Sequence, residues 1–273
     1  MRFTKMHGLG NDFIVVDAIH NAITDPAELA RRICQRRFAI GADGLILVGE
    51  SDRADATMRI YNSDGSEAEM CGNGIRCVAK FLYDNGICKK TEMSIDTLAG
   101  VKPIRLAVEG GIAIAATVDM GAPDFAPARI PVASEVNRVR VHLNGREVDF
   151  FCVSMGNPHA VTFDYFPDEE AFLRDGPEME KHTLFPAKIN VEFCRLDGPS
   201  AVTVKVWERG AGPTLACGTG SCAVLAAGIQ TGRLDPSADI HLPGGTLHNE
   251  LRSDGHIYMT GPAETSGIGE FET

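Results

Sequence analysis

Apolar and polar positions along the chain alternate in short runs, broken by two stretches with helical spacing. Phe13-Ile14-Val15-Val16-Asp17 and Ala160-Val161-Thr162-Phe163 each follow a Gly-Asn turn and predict strands. Gly44 to Val48 and Met58 to Tyr61 predict further strands. Thr24-Asp25-Pro26 with Glu28 predicts a helix start, combining a cap, a proline in the first turn and an acid near the N-terminus. Asp168 to Arg174 is its expected counterpart. Two longer helices are predicted after Cys71-Gly72-Asn73-Gly74 and Cys217-Gly218-Thr219-Gly220. Their apolar positions are Ile75, Val78, Ala79, Leu82 and Cys222, Leu225, Ala226, Ile229, at i, i+3, i+4, i+7 in both cases. The remaining faces are also small or apolar, so both helices are expected to be central and wrapped by strands.

These elements repeat at an offset of 146 residues. The offset carries Met58–Asn62 onto Val204–Glu208, Cys71 onto Cys217, Gly10-Asn11 onto Gly156-Asn157 and Gly44 onto Asn190. Leu98-Ala99-Gly100 recurs in slipped register as Leu242-Pro243-Gly244-Gly245, as loop insertions would cause. The expected fold is α/β of the α+β type, with two pseudo-symmetric lobes facing each other across a cleft.

Composition changes this picture little. The 273 residues are 44% hydrophobic and 23% charged, ordinary for a globular protein. A net charge of −11 argues against nucleic acid and against an anionic membrane surface. The N-terminus lacks the apolar core of a signal peptide, and no run approaches the ~18 apolar residues of a membrane span. Eight cysteines in a chain of this size read as reduced thiols in a cytoplasm rather than as a disulfide framework.

Candidate chemistry centres on the two Cys-Gly-x-Gly turns. A helix N-terminus presents unpaired N–H groups and a positive dipole end, which bind anions and lower the pKa of a thiol placed there. Two such ends could grip one carboxylate and set sulfurs on opposite faces of its α-carbon. Thiolate and thiol, exchanging roles each turnover, could then invert that carbon with no metal and no pyridoxal phosphate. For Cys34, Cys77, Cys88, Cys152, Cys194 and Cys222 the reading is a small core residue, and core packing stays open for Cys71 and Cys217. Zinc lacks matching short Cys pairs, and a P-loop lacks its Lys-Ser/Thr.

Gly8-Leu9-Gly10-Asn11-Asp12-Phe13, Asn62-Ser63-Asp64-Gly65-Ser66, the segment from Cys71 to Cys77, Met155-Gly156-Asn157-Pro158-His159 and the run from Glu208 to Gly220 resemble the hallmark segments of diaminopimelate epimerase. The likeness runs nearly end to end. It implies interconversion of LL- and meso-diaminopimelate by a homodimer without a cofactor. It also implies two lobes, residues 1–118 plus 263–273 with Cys71 and residues 119–262 with Cys217, each a barrel-like mixed sheet around a central helix. By resemblance, Cys71 and Cys217 are the acid/base pair, and His159 and Glu208 tune the thiols. Gly72, Asn73, Gly218 and Thr219 surround the reacting carboxylate. Asn11, Asn62, Asn157, Asn190, Glu208 and Arg209 read the substrate, chiefly its distal end. Arg209 suits a carboxylate and Glu208 an ammonium. As alternatives read from the residues, Asn11 and Asn157 serve their turns, Asn190 is a satisfied buried amide, and Glu208-Arg209 is a solvated pair. Gly44 stands where some members carry a ligand-touching side chain, and Pro213 where an acidic residue is usual. The rival activities are racemisation of another amino acid by the same thiol pair, and amino-acid binding without turnover.

Overall fold

A computed structural model describes residues 1–272. They form two compact units, Met1–Asp119 with the C-terminal stretch from Thr260, and Met120–Met259.

In unit 1 the elements are β1 (Arg2–Gly8), β2 (Asn11–Asp17), α1 (Pro26–Ile33), β3 (Gly44–Gly49), β4 (Ala56–Asn62), β5 (Glu67–Ala68), α2 (Gly72–Asp84), β6 (Glu92–Thr97), β7 (Gly100–Glu109) and β8 (Ile112–Asp119). In unit 2 they are β9 (Arg138–Leu143), β10 (Arg146–Ser154), β11 (Pro158–Thr162), α3 (Glu169–Glu180), β12 (Asn190–Gly198), β13 (Ala201–Glu208), β14 (Gly212–Thr214), α4 (Gly218–Gln230), β15 (Ser237–Leu242) and β16 (Gly245–Leu251). The chain returns to unit 1 through β17 (Ile257–Pro262) and ends in β18 (Glu264–Glu270).

Unit 1 orders its strands β18–β1–β2–β3–β4–β6–β7–β8, with β2–β3 and β4–β6 parallel. Unit 2 orders its own β9–β10–β11–β12–β13–β15–β16, with β11–β12 and β13–β15 parallel. The internal repeat reaches the level of register. Phe13 faces Gly44 as His159 faces Asn190, and Leu45 faces Tyr61 as Val191 faces Trp207.

Strand β3 is apolar without alternation because both its faces are covered, by α1 and by α2. Helix α2 touches seven strands of its unit, and α4 is packed by β10, β11, β12, β15 and β16, so almost every residue of either helix is buried. The fold is therefore mixed α/β, mostly sheet, with one central helix in each unit.

Helix α1 starts as predicted, with the Asp25 side chain accepting the Glu28 N–H at 3.0 Å. Helix α3 corrects the expected end at Arg174 by running on to Glu180. Asp175, inside it, accepts from Tyr165 Oη and Asn144 Nδ2, both at 2.6 Å, and Gly176 lies under the Trp207 ring. Tertiary contacts thus carry the helix through a Gly-Pro step that reads as a breaker. Among the described residues no helix is long and apolar enough to cross a membrane.

Candidate functional site

In unit 1 a two-residue turn sets the first group. Leu9 and Gly10 both have positive φ, 56° and 86°, the type I′ geometry that closes a tight hairpin and delivers Asn11 at the start of β2. The Asn11 amide is fixed at both ends. Its Nδ2 donates to Asp43 at 2.8 Å, so its Oδ1 faces Asn73 Nδ2 at 3.1 Å and the Cys71 thiol at 3.7 Å. Asp43 is held in turn by Arg36, which also bonds Asp12, while Lys5 closes the other side of Asp12. Burial raises the Asp12 carboxyl, but Arg36 and Lys5 outweigh it and hold the group at about 2.

Cys71 is the N-cap of α2, with extended backbone at φ −142°, and its sulfur accepts the Gly74 N–H at 3.5 Å. Gly72 and Asn73 are buried in the first turn. Asn62 ends β4, exposed, and bonds Ser66 Oγ at 3.0 Å. Opposite Asn62, a Cβ on Gly44 would stand 2.8 Å from the Tyr61 carbonyl, so this backbone leaves no room for a side chain there.

Unit 2 builds the same motif in a more charged setting. Cys217 caps α4 with φ −121°, and its sulfur accepts the Gly220 N–H at 3.4 Å and lies 3.5 Å from Thr219 Oγ1. Asn157 Nδ2 donates to Thr219 Oγ1 at 3.2 Å, and Asn157 Oδ1 meets His159 Nε2 at 3.0 Å. His159 is fully buried, its Nδ1 2.7 Å from Glu192 Oε1. Glu208, at the end of β13, bonds the Cys217 thiol, and burial pushes its carboxyl up.

The expectation of a lowered thiol pKa is overturned at Cys217, which is raised well above the ordinary value. Burial is the main cause, and the Glu208 and Glu192 carboxylates push the same way, against the weaker pull of Thr219 and the Gly220 N–H. Burial likewise lifts Cys34 to about 11 and Cys77 and Cys152 to about 12, as befits inert core thiols. Cys88 corrects its reading as a core residue: it follows α2 and is only half-buried.

Asn190 is buried and bound at both ends of its amide. It donates to the Pro158 carbonyl and accepts the Arg209 N–H, each at 2.8 Å. It therefore holds the backbone from which the exposed Arg209 side chain projects. The N–H of Gly210 is held at 3.1 Å by Glu180. Glu208 and Arg209 point to different partners and do not form a surface pair.

Three of these residues escaped the sequence reading. Glu192 carried a signal, a lone charge inside the apolar run Ile189 to Cys194, whereas Asp43 and Glu180 look like ordinary polar surface in sequence.

Two units of like topology, each built around a thiol-capped central helix, define the fold class of this chain. Solved structures of similar fold include a hydroxyproline epimerase from Agrobacterium vitis, at TM-score 0.72 and 20% identity over 98% of this chain and 90% of that one. Another is a PhzF-family phenazine biosynthesis protein of Bacillus anthracis, at TM-score 0.69 and 19% identity over 100% and 99%. Within that class the chain belongs to the diaminopimelate epimerase family, which residues 3–126 and 151–266 match. It is 50% identical to the diaminopimelate epimerase of Methanococcus maripaludis strain C5 over the whole of both chains. It is 49% identical to that of Desulfitobacterium hafniense over 96% of this chain and 95% of the relative.

Proposed function

We propose that the protein interconverts LL- and meso-diaminopimelate with Cys71 and Cys217 as its two acid/base groups. The observation that carries this is the matched pair of helix caps. Each sulfur stands at the N-terminus of a buried central helix and takes the N–H of the third glycine-turn residue, Gly74 or Gly220. A thiolate removes the α-proton from one face, leaving a planar carbanion whose charge passes into the carboxylate. The other thiol delivers its proton to the opposite face, and the two sulfurs finish with exchanged protonation. Backbone N–H groups at the helix starts, with Gly72, Asn73, Gly218 and Thr219, stabilise the carboxylate as its charge grows.

Asn11, Asn62, Asn157, Glu208 and Arg209 read the rest of the substrate, Arg209 forking the distal carboxylate. Asn190 contributes by holding Arg209 in place, and His159 and Glu208 set the surroundings of the Cys217 thiol. A homodimer is the expected form on the strength of the family resemblance, and a cytoplasmic setting on the reading of the cysteines as reduced thiols. No step as drawn calls on a cofactor.

Incubation with LL-diaminopimelate in D₂O tests the reading. Loss of the α-proton signal together with approach to an LL/meso mixture is expected. Failure to exchange that proton, or comparable turnover of proline, would overturn it.

A further inference from the structure

Behind Cys217 lies an unbroken line of hydrogen bonds that runs back to Glu192. Asn157 Nδ2 donates to Thr219 Oγ1 at 3.2 Å, which leaves the Thr219 hydroxyl proton for Cys217 Sγ at 3.5 Å. This amide orientation turns Asn157 Oδ1 to His159 Nε2 at 3.0 Å, so that nitrogen must carry a proton. The orientation of His159 is set at its far side, where Nδ1 meets Glu192 Oε1 at 2.7 Å. Glu192 and His159 are both 0% exposed, so this contact lies out of reach of water.

We infer that Glu192 is a positioning residue for Cys217, acting through His159, Asn157 and Thr219 to aim a hydroxyl proton at the sulfur. The inference rests on Cys217 being one of the two acid/base groups.

Two further features set Glu192 apart from ordinary packing. Among the described residues its Oε2 has no hydrogen-bond partner, a costly arrangement for a buried carboxyl in the middle of a strand. The fold also leaves room for it: a Cβ on Gly220 would stand 2.7 Å from Glu192 Oε1 and 3.3 Å from Cys217 Sγ. The last residue of the second Cys-Gly-x-Gly turn is thus glycine where the carboxyl meets the helix start. At the corresponding Gly74 of unit 1 the nearest neighbours of such a Cβ are Ile46, Ile60 and Cys71, none of them a carboxyl. An apolar side chain would fill the Glu192 site without an orphaned oxygen, so stability alone does not call for a carboxylate there.

The test is a double-mutant cycle on the full-length protein, with Glu192→Gln, Thr219→Val and the double variant. Epimerisation kinetics are read alongside the rates at which iodoacetamide alkylates Cys217 and Cys71, resolved by peptide mapping. Glutamine keeps the volume but lets the His159 ring settle in either orientation. Glu192→Gln should therefore lower kcat about tenfold or more, as losing a charge-assisted hydrogen bond does, with KM within about twofold. The rate of Cys217 alkylation should change while that of Cys71 stays unchanged. The double variant should be no slower than the slower single one, because both substitutions cut the same line. The inference is overturned by unchanged kcat in Glu192→Gln, by losses that multiply in the double variant, or by equal changes at both cysteines. If Glu192→Gln does not fold, His159→Gln takes its place in the cycle with the same expectations. If even the unmodified protein leaves diaminopimelate unturned, the functional reading fails, and the alkylation rates still decide whether Glu192 governs Cys217.

Discussion

Cys71 and Cys217 share a cap geometry and differ in what surrounds them. Replacing either by alanine should lower epimerisation at least about a thousandfold, the scale of a lost acid or base, while circular dichroism and melting stay near normal. Cys77→Ala and Cys222→Ala, in the interiors of the same helices, should instead cost about 1 kcal/mol in urea unfolding and leave kcat alone. Arg209→Lys should raise KM by about tenfold or more with little change in kcat, because lysine cannot supply the planar fork. An equal loss in kcat would mean that Arg209 acts on the transition state instead. The helix-end field that led to the expectation of a lowered Cys217 pKa is a local property, legible in the four residues of the turn. The burial and the two carboxylates that overcome it come from β12 and β13, which only the folded chain brings to Cys217.

Elements whose boundaries are set locally were legible in the sequence. The starts of α1, α2 and α4 carry their own caps in Asp25, Cys71 and Cys217, and short apolar-rich runs gave β2, β3, β4 and β11 to within a few residues. The two- and three-residue strands β5 and β14 were not legible, since so short a segment has no period to read. Helix α3 was cut short for a different reason. Asp175-Gly176-Pro177 carries every local mark of a stop, and only the Tyr165, Asn144 and Trp207 contacts reverse it. A sign-inverted prediction follows at Gly176. Glycine to alanine inside a helix ordinarily stabilises by about 1 kcal/mol. Here the new Cβ would lie 2.4 Å from Trp207 Cε3. Gly176→Ala should therefore destabilise by about 1–3 kcal/mol, as overpacking does, measured by urea unfolding. A gain in stability would show that the Trp207 ring moves aside at little cost.

At the scale of the whole molecule, carboxylates outnumber bases, and many of them are held low by cationic partners or hydrogen bonds, among them Asp12, Asp55, Asp96, Asp149 and Glu67. A carboxyl whose folded pKa lies below its unfolded value stabilises the fold above the unfolded value and loses that contribution as pH falls through the folded one. For Asp12 the window runs from about 4 down to about 2. Stability measured by urea unfolding should fall steeply across that range, and Asp12→Asn should flatten the fall while lowering stability at neutral pH. An unchanged acid limb would show that Lys5 and Arg36 bind Asp12 as tightly in the unfolded chain.

The shared register of the two units also bears on descent. A chain that pairs Phe13 with Gly44 and His159 with Asn190 at the same step of the same two strands reads as one ancestral gene copied in tandem. Since then the copies have drifted apart in their side chains at matched steps. The first keeps a phenyl ring, a bare backbone and an amide at Phe13, Gly44 and Asn62; the second carries an imidazole, an amide and a carboxylate at His159, Asn190 and Glu208. Sheet pairing runs through peptide groups, so an ancestor with two equal units could become lopsided in its side chains while both kept the same register.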